Sequence, residues 1–233
     1  MIMKKYVSLF AALLICMASW AQKDVTTFLG IPVDGYKNEM KQKLIEKGFT
    51  YDSTYEIFEG EFNGHPVFVR IVTNNNKVYR IALMDKNAVC ETDIKIRFNT
   101  LCQQFENNKR YFHTFEKQSI PEDEDISYQM TVNKKRYEAS YTQRYKEELL
   151  DTAVIWKKTY EELSNTYTKE QLSNPTEEIA KDIKGLYDVI FINHAVKIQQ
   201  NKSVWFIIKE YGAEYRILMF YDNQYNEANG DDL

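Results

Sequence analysis

Two periods of hydrophobic spacing organise this chain. Alternation with period two fills Ser203 to Tyr221, SVWFIIKEYGAEYRILMFY, where two strands flank a turn at Tyr211-Gly212-Ala213. Val204, Phe206 and Ile208 share one face, and Trp205 and Ile207 the other. A strand apolar on both faces is usually covered on both, so this hairpin is expected at the centre of a sheet. Earlier in the chain, Tyr55 to Phe62, Pro66 to Thr73 and Lys77 to Met84 read as a three-stranded meander. Its turns fall at Asn63-Gly64 and Asn74-Asn75-Asn76, where Asn and Gly accept positive φ. Ile126, Tyr128, Met130 and Val132 alternate too, as do Tyr137, Ala139 and Tyr141, which predicts a further hairpin turning at Asn133-Lys134-Lys135.

Helical spacing occupies the intervals. Tyr36, Met40 and Leu44 lie on one helical face after Asp34, read as the N-cap, and Gly48 ends the helix with Leu44 and Phe49 placed for a Schellman contact. Thr92 to Asn108 carries the stripe Ile94, Phe98, Leu101, Cys102 and Phe105. Arg144 to Leu163 has helical spacing at Leu149, Leu150, Ala153, Trp156, Tyr160 and Leu163, and Ser164 to Ser173 reads as linker. Asn174, Pro175 and Glu177 form a helix start, and Ile179, Ile183, Leu186 and Ile190 carry the helix to about Ala195. Antiparallel meanders and hairpins packed against about four helices predict an α+β fold. Residues 22–116 form a helix–meander–helix module and 126–233 a second α+β half, either separate or sharing the first sheet. The acidic stretch 117–125, KQSIPEDED, is the boundary or surface loop between them.

The first residues change the picture of where the protein acts. Lys4 and Lys5 precede an apolar run from Tyr6 to Met17, and Ser19 and Ala21 sit at the −3 and −1 positions of a cut. This pattern predicts a Sec signal peptide over Met1–Ala21 and export to the periplasm, the cell surface or the medium, with no membrane span left after cleavage. The whole chain carries 30 basic and 34 acidic residues; removing Lys4 and Lys5 leaves 28 against 34, a net charge of −6. An acidic chain without a basic cluster argues against nucleic acid as a partner.

Two cysteines remain after such a cut, Cys90 and Cys102. If the helix starts near Thr92 they stand roughly 15 Å apart, which argues against a disulfide; buried free thiols are the expectation, with a bridge as the alternative. Motifs of catalysis are missing: the chain has no G-x-G and no G-x-S-x-G, and His65, His113 and His194 lack a metal-ligand spacing. No cofactor is expected.

Two local features remain as candidates. Tyr211, Tyr215, Tyr221 and Tyr225 surround the last hairpin and present either an aromatic surface for a protein or glycan, or core and rim packing. Asp222, Asn223, Asn226 and Asp231 in the tail YDNQYNEANGDDL offer oxygens for Ca²⁺, against the plainer reading of a turn-rich tail closing the last strand.

The segments FLGIPVDG, LIEKGF, VWFII and YDNQYNEANGDDL resemble those of a family of exported proteins from Bacteroidetes, a likeness that brings export with it and no catalytic residue. More loosely, the helix-then-meander order is similar to BamE-like and β-lactamase-inhibitor-like modules. The reading favoured by these residues is an exported, non-enzymatic binding module with an exposed apolar or aromatic patch on the first meander or the last hairpin. A glycan or peptide hydrolase would instead need two acids about 5 to 10 Å apart in one cleft. A small-ligand carrier would need an enclosed apolar cavity of several hundred Å³.

Overall fold

The computed structural model describes residues 24–113, 118–145, 151–228 and 230; the expected signal peptide and Asp231 lie outside them. The fold is α+β, as the spacing predicts. A short hairpin, β1 (Thr27–Phe28) and β2 (Ile31–Pro32), leads into α1 (Lys37–Glu46). Then follow β3 (Thr50–Asp52), β4 (Ile57–Phe62), β5 (His65–Asn74), β6 (Lys77–Asp85), α2 (Glu91–Asn107) and β7 (Tyr111–His113). The second half holds α3 (Ile126–Thr131), β8 (Glu138–Gln143), α4 (Thr152–Leu163), α5 (Lys169–Ser173), α6 (Glu177–Gln200), β9 (Ser203–Tyr211) and β10 (Glu214–Asp222). No helix among the described residues is long and apolar enough to cross a membrane.

Strands β3 to β10 form one antiparallel sheet in the order β3-β4-β5-β6-β10-β9-β8-β7. The last hairpin lies at its middle, and β10 joins the halves by pairing with β6, Tyr221 opposite Ile81 and Leu218 opposite Met84. Local chemistry sets the turns as expected: Asn63 and Gly64 take φ of 53° and 76°, and Asn75 and Asn76 take 47° and 63°. The end of α1 is a Schellman motif, with Phe49 N–H donating to the Leu44 carbonyl and Gly48 N–H to that of Ile45.

One sheet face carries the core. Val204, Phe206 and Ile208 from β9 and Ile217, Met219 and Tyr221 from β10 are buried with the apolar stripe of α2 and with Phe28, Met40 and Leu44. Phe206 meets Phe98 edge-on at 5.0 Å and Phe105 at 5.8 Å. The opposite face is covered less than expected: Trp205, Ile207, Leu218 and Phe220 are half-buried. There the Trp205 and Phe220 rings, opposite one another across β9 and β10, stack at 4.3 Å and shield each other. Helices α5 and α6 with the end of α4 form a second, small apolar cluster of Leu163, Leu172, Ile179 and Ile183.

Several expected elements are corrected. Ile126 to Val132 is helical: the Asp125 carboxylate caps it by accepting from Tyr128 N–H, and the alternation buries only Ile126 while Tyr128 and Val132 are exposed. Strand β8 therefore pairs with β7 and β9. Asp34 bonds the Gly35 N–H and does not cap α1, which starts after Tyr36 without a side-chain cap. Thr176, not Asn174, caps α6, which continues to Gln200. Helix α4 starts at Thr152, capped by Asp151, while residues 146–150 of the expected helix, with Leu149 and Leu150, lie outside the described residues; the expected linker holds α5, closed by a capping box between Thr168 and Gln171. Both cysteines are free, Cys102 buried and Cys90 exposed.

Candidate functional site

Three side-chain amides each clamp both backbone groups of a residue distant in sequence. Asn99 accepts from Ile120 N–H at 2.7 Å and donates to its carbonyl at 2.8 Å. Gln118 does the same for Ser140, which closes part of the free edge of β8. Gln143 takes Thr27 N–H at 2.7 Å and donates to Thr27 O at 2.7 Å, and its Nε2 also donates to the Tyr111 hydroxyl at 3.1 Å. A buried side-chain amide that satisfies one residue's donor and acceptor behaves as an extra strand partner.

Gln143 and Thr27 line a half-open cleft of about 770 Å³. Its walls are the β4–β5 turn with Glu61, Phe62 and Asn63, the last turns of α2 with Gln104 and Asn108, the β1–β2 turn with Leu29, and the β7–β8 end with Arg110, Tyr111 and Arg144. The turn is tied to the helix by Asn63 Nδ2 donating to Gln104 Oε1 at 2.6 Å. Tyr221 reaches the cleft floor and hydrogen-bonds Tyr111; burial first, and then this neighbour, push its hydroxyl well above the ordinary tyrosine value, while the Arg110 charge opposes the rise.

The cleft's charge is opposite to that of the chain. Lys109, Arg110, Arg144 and Lys202 line it with one acid, Glu61, although the chain as a whole is acidic. Lys202 is answered internally by Asp24 and by the Val25 carbonyl at 3.0 Å. Arg144 donates through Nε to Lys109 O, and its guanidinium lies 4.0 Å over the Phe112 ring. Among the described residues no Ser, Cys or His lines the cleft, and Glu61 has no second carboxylate beside it there. The arrangement can hold and orient a molecule by hydrogen bonds and positive charge.

The sequence candidates are distributed differently from one shared surface. Tyr211 and Tyr225 are exposed at 46% and 48%, and lie at opposite ends of the hairpin, about 30 Å apart at strand rise. Tyr211 donates to Met84 Sδ at 3.4 Å, and the Arg216 guanidinium lies 4.9 Å from its ring centroid. Tyr215 and Tyr221 are both 3% exposed, within the core. Only Tyr221 joins the cleft.

In the tail, the candidate cation ligands Asp222, Asn223 and Asn226 are engaged with the protein, while Asp231 lies outside the described residues. Asp222 accepts a fork from Arg80 at 2.6 and 2.9 Å and also Trp205 Nε1–H at 2.8 Å. Asn223 is buried, donating to Val33 O and accepting from Tyr225 N–H. Asn226 donates to Asp34 and to Val78 O. Among the described residues no group of three His, Cys, Asp or Glu side chains is placed to hold a metal ion.

Arg110, Gln143 and Arg144 carry no local motif; only the register of β7 on β8 brings them together. Compared with protein-family models, curated proteins and solved structures, the chain has no match.

Proposed function

We propose that this is an exported, non-enzymatic binding protein whose ligand occupies the cleft between β4, α2 and the β7–β8 end. The observation that carries the reading is the cleft's lining: hydrogen-bonding amides, aromatic rings and cations surround about 770 Å³, a volume suited to a small ligand, and among the described residues no Ser, Cys or His and no pair of acids lines it. The leader-like pattern of residues 1–21 supports export. The half-exposed Trp205–Phe220 face is the alternative surface for a partner, and its rings are already occupied with each other.

The test is an array of envelope glycans and peptides probed with the chain lacking residues 1–21. The comparison is a Gln104→Trp variant, in which an exposed helical residue is enlarged to fill the cleft. Binding is expected to be lost in the variant while its circular dichroism is unchanged, and bound ligands are expected to be recovered intact. Binding that survives Gln104→Trp, or chemical conversion of a ligand, contradicts the reading.

A further inference from the structure

The cations of the cleft are arranged in a way that folding alone does not favour. Arg110 and Arg144 stand opposite each other one step beyond the Tyr111–Gln143 pair, with Arg144 N–H donating to Arg110 O at 2.8 Å. Like charges at opposed strand positions weaken a ladder. Lys109 adds a third positive charge at the same turn. Among the described residues none of the three has a carboxylate within ion-pair distance, whereas Lys202, Arg80 and Arg97 each have one. The Arg144 guanidinium is nonetheless fixed, by its Nε bond to Lys109 O and by the Phe112 ring beneath it. Among the described residues no carboxylate answers this preorganised guanidinium, and it stands beside a second one at the wall of a cavity, the geometry by which arginine takes carboxylate and phosphate oxygens.

Resting on the reading of the cleft as a ligand site, we propose that Arg110, Arg144 and Lys109 receive the anionic group, carboxylate or phosphate, of a small organic ligand whose body lies along Leu29, Phe62 and Tyr111. These three residues supply the apolar and aromatic wall beside the cations. The ligand therefore joins one charged end to a less polar body.

The experiment is thermal unfolding of the chain lacking residues 1–21, at low ionic strength, with three matched probes: glucuronate, glucose 6-phosphate and glucose. Either charged probe, at about ten times its dissociation constant, is expected to raise Tm by about 3 °C or more, and glucose is not. The shift shrinks as salt is added. It disappears in Arg110→Gln/Arg144→Gln, whose circular dichroism matches that of the parent. Stabilisation by glucuronate alone assigns the site to carboxylates, and by glucose 6-phosphate alone to phosphates. A shift kept in the double variant, or no shift with either anion, overturns the proposal. Equal stabilisation by glucose, abolished by Gln104→Trp, overturns the anion while leaving the cleft as the ligand site.

Discussion

Gln143 holds Thr27 by both backbone groups, accepting its N–H and donating to its carbonyl, each at 2.7 Å. One side chain of β8 thus fastens the first hairpin across the cleft mouth. In Gln143→Leu the carbonyl and N–H of Thr27 lose their partner, and the Tyr111 hydroxyl loses a donor. Chemical denaturation is expected to show a loss of about 2–3 kcal/mol, since polar groups left without partners cost more than the bond itself. Hydrogen exchange at Thr27 should accelerate in the same variant. An unchanged stability would mean the clamp is incidental.

Asp222 and Arg80 are joined by a two-point contact at the sheet's centre, with Asp222 also taking the indole N–H of Trp205. The fork to Asp222 is the largest reason that the Arg80 guanidinium is held above its ordinary value. Asp222→Asn breaks the charge pair and leaves a cation beside the Trp205 and Phe220 rings. The expected cost is about 1.5–3 kcal/mol, less than for a fully buried pair because Arg80 keeps some contact with water. Trp205 fluorescence should shift with it, and Ca²⁺ should not stabilise the parent chain.

Acid sensitivity is expected at Glu124. Hydrogen bonds from Lys135 and then Tyr137 hold its carboxyl below the ordinary carboxylate value. The folded chain therefore binds this proton less readily than the unfolded chain. The stability from Glu124 is present above the ordinary carboxylate value and is lost as pH falls through the depressed one. Unfolding followed from pH 6 downward should show a decline that is shallower in Glu124→Gln; parallel profiles would remove Glu124 as a contributor.

The two cysteines should differ sharply in reactivity. Burial pushes the Cys102 thiol up to about 11, while Cys90 is exposed at the start of α2. A thiol reagent at pH 8 is expected to titrate one group in the native chain lacking residues 1–21 and two after denaturation. Zero before and after would indicate a disulfide.

Local signals made the sheet legible and left the site hidden. Asn63-Gly64, the Gly48 helix end and the alternation of β9 and β10 act over a few residues, and each took the expected form. The Ile126 to Val132 segment misled because apolar alternation says nothing about whether both faces find neighbours, and here the Asp125 cap decided the matter. The tail misled in another way: an Asn- and Asp-rich stretch has the oxygens of a cation site, yet the Asn223 amide donates to Val33 O while its oxygen takes Tyr225 N–H, and the Asn226 amide donates to the Asp34 carboxylate and to Val78 O of β6. The cleft had no signal of its own. β7 is three residues long, too short for a period to register, and it alone sets Arg110 opposite Arg144.

The most direct test of the account is a chemical-shift map of the isotope-labelled chain lacking residues 1–21, titrated with whichever of glucuronate and glucose 6-phosphate stabilises it. The account predicts that the shifted amides gather at Leu29, Phe62, Tyr111, Gln143 and Arg144, around the cleft. Shifts gathered at Trp205, Ile207, Leu218 and Phe220 on the opposite sheet face would contradict it.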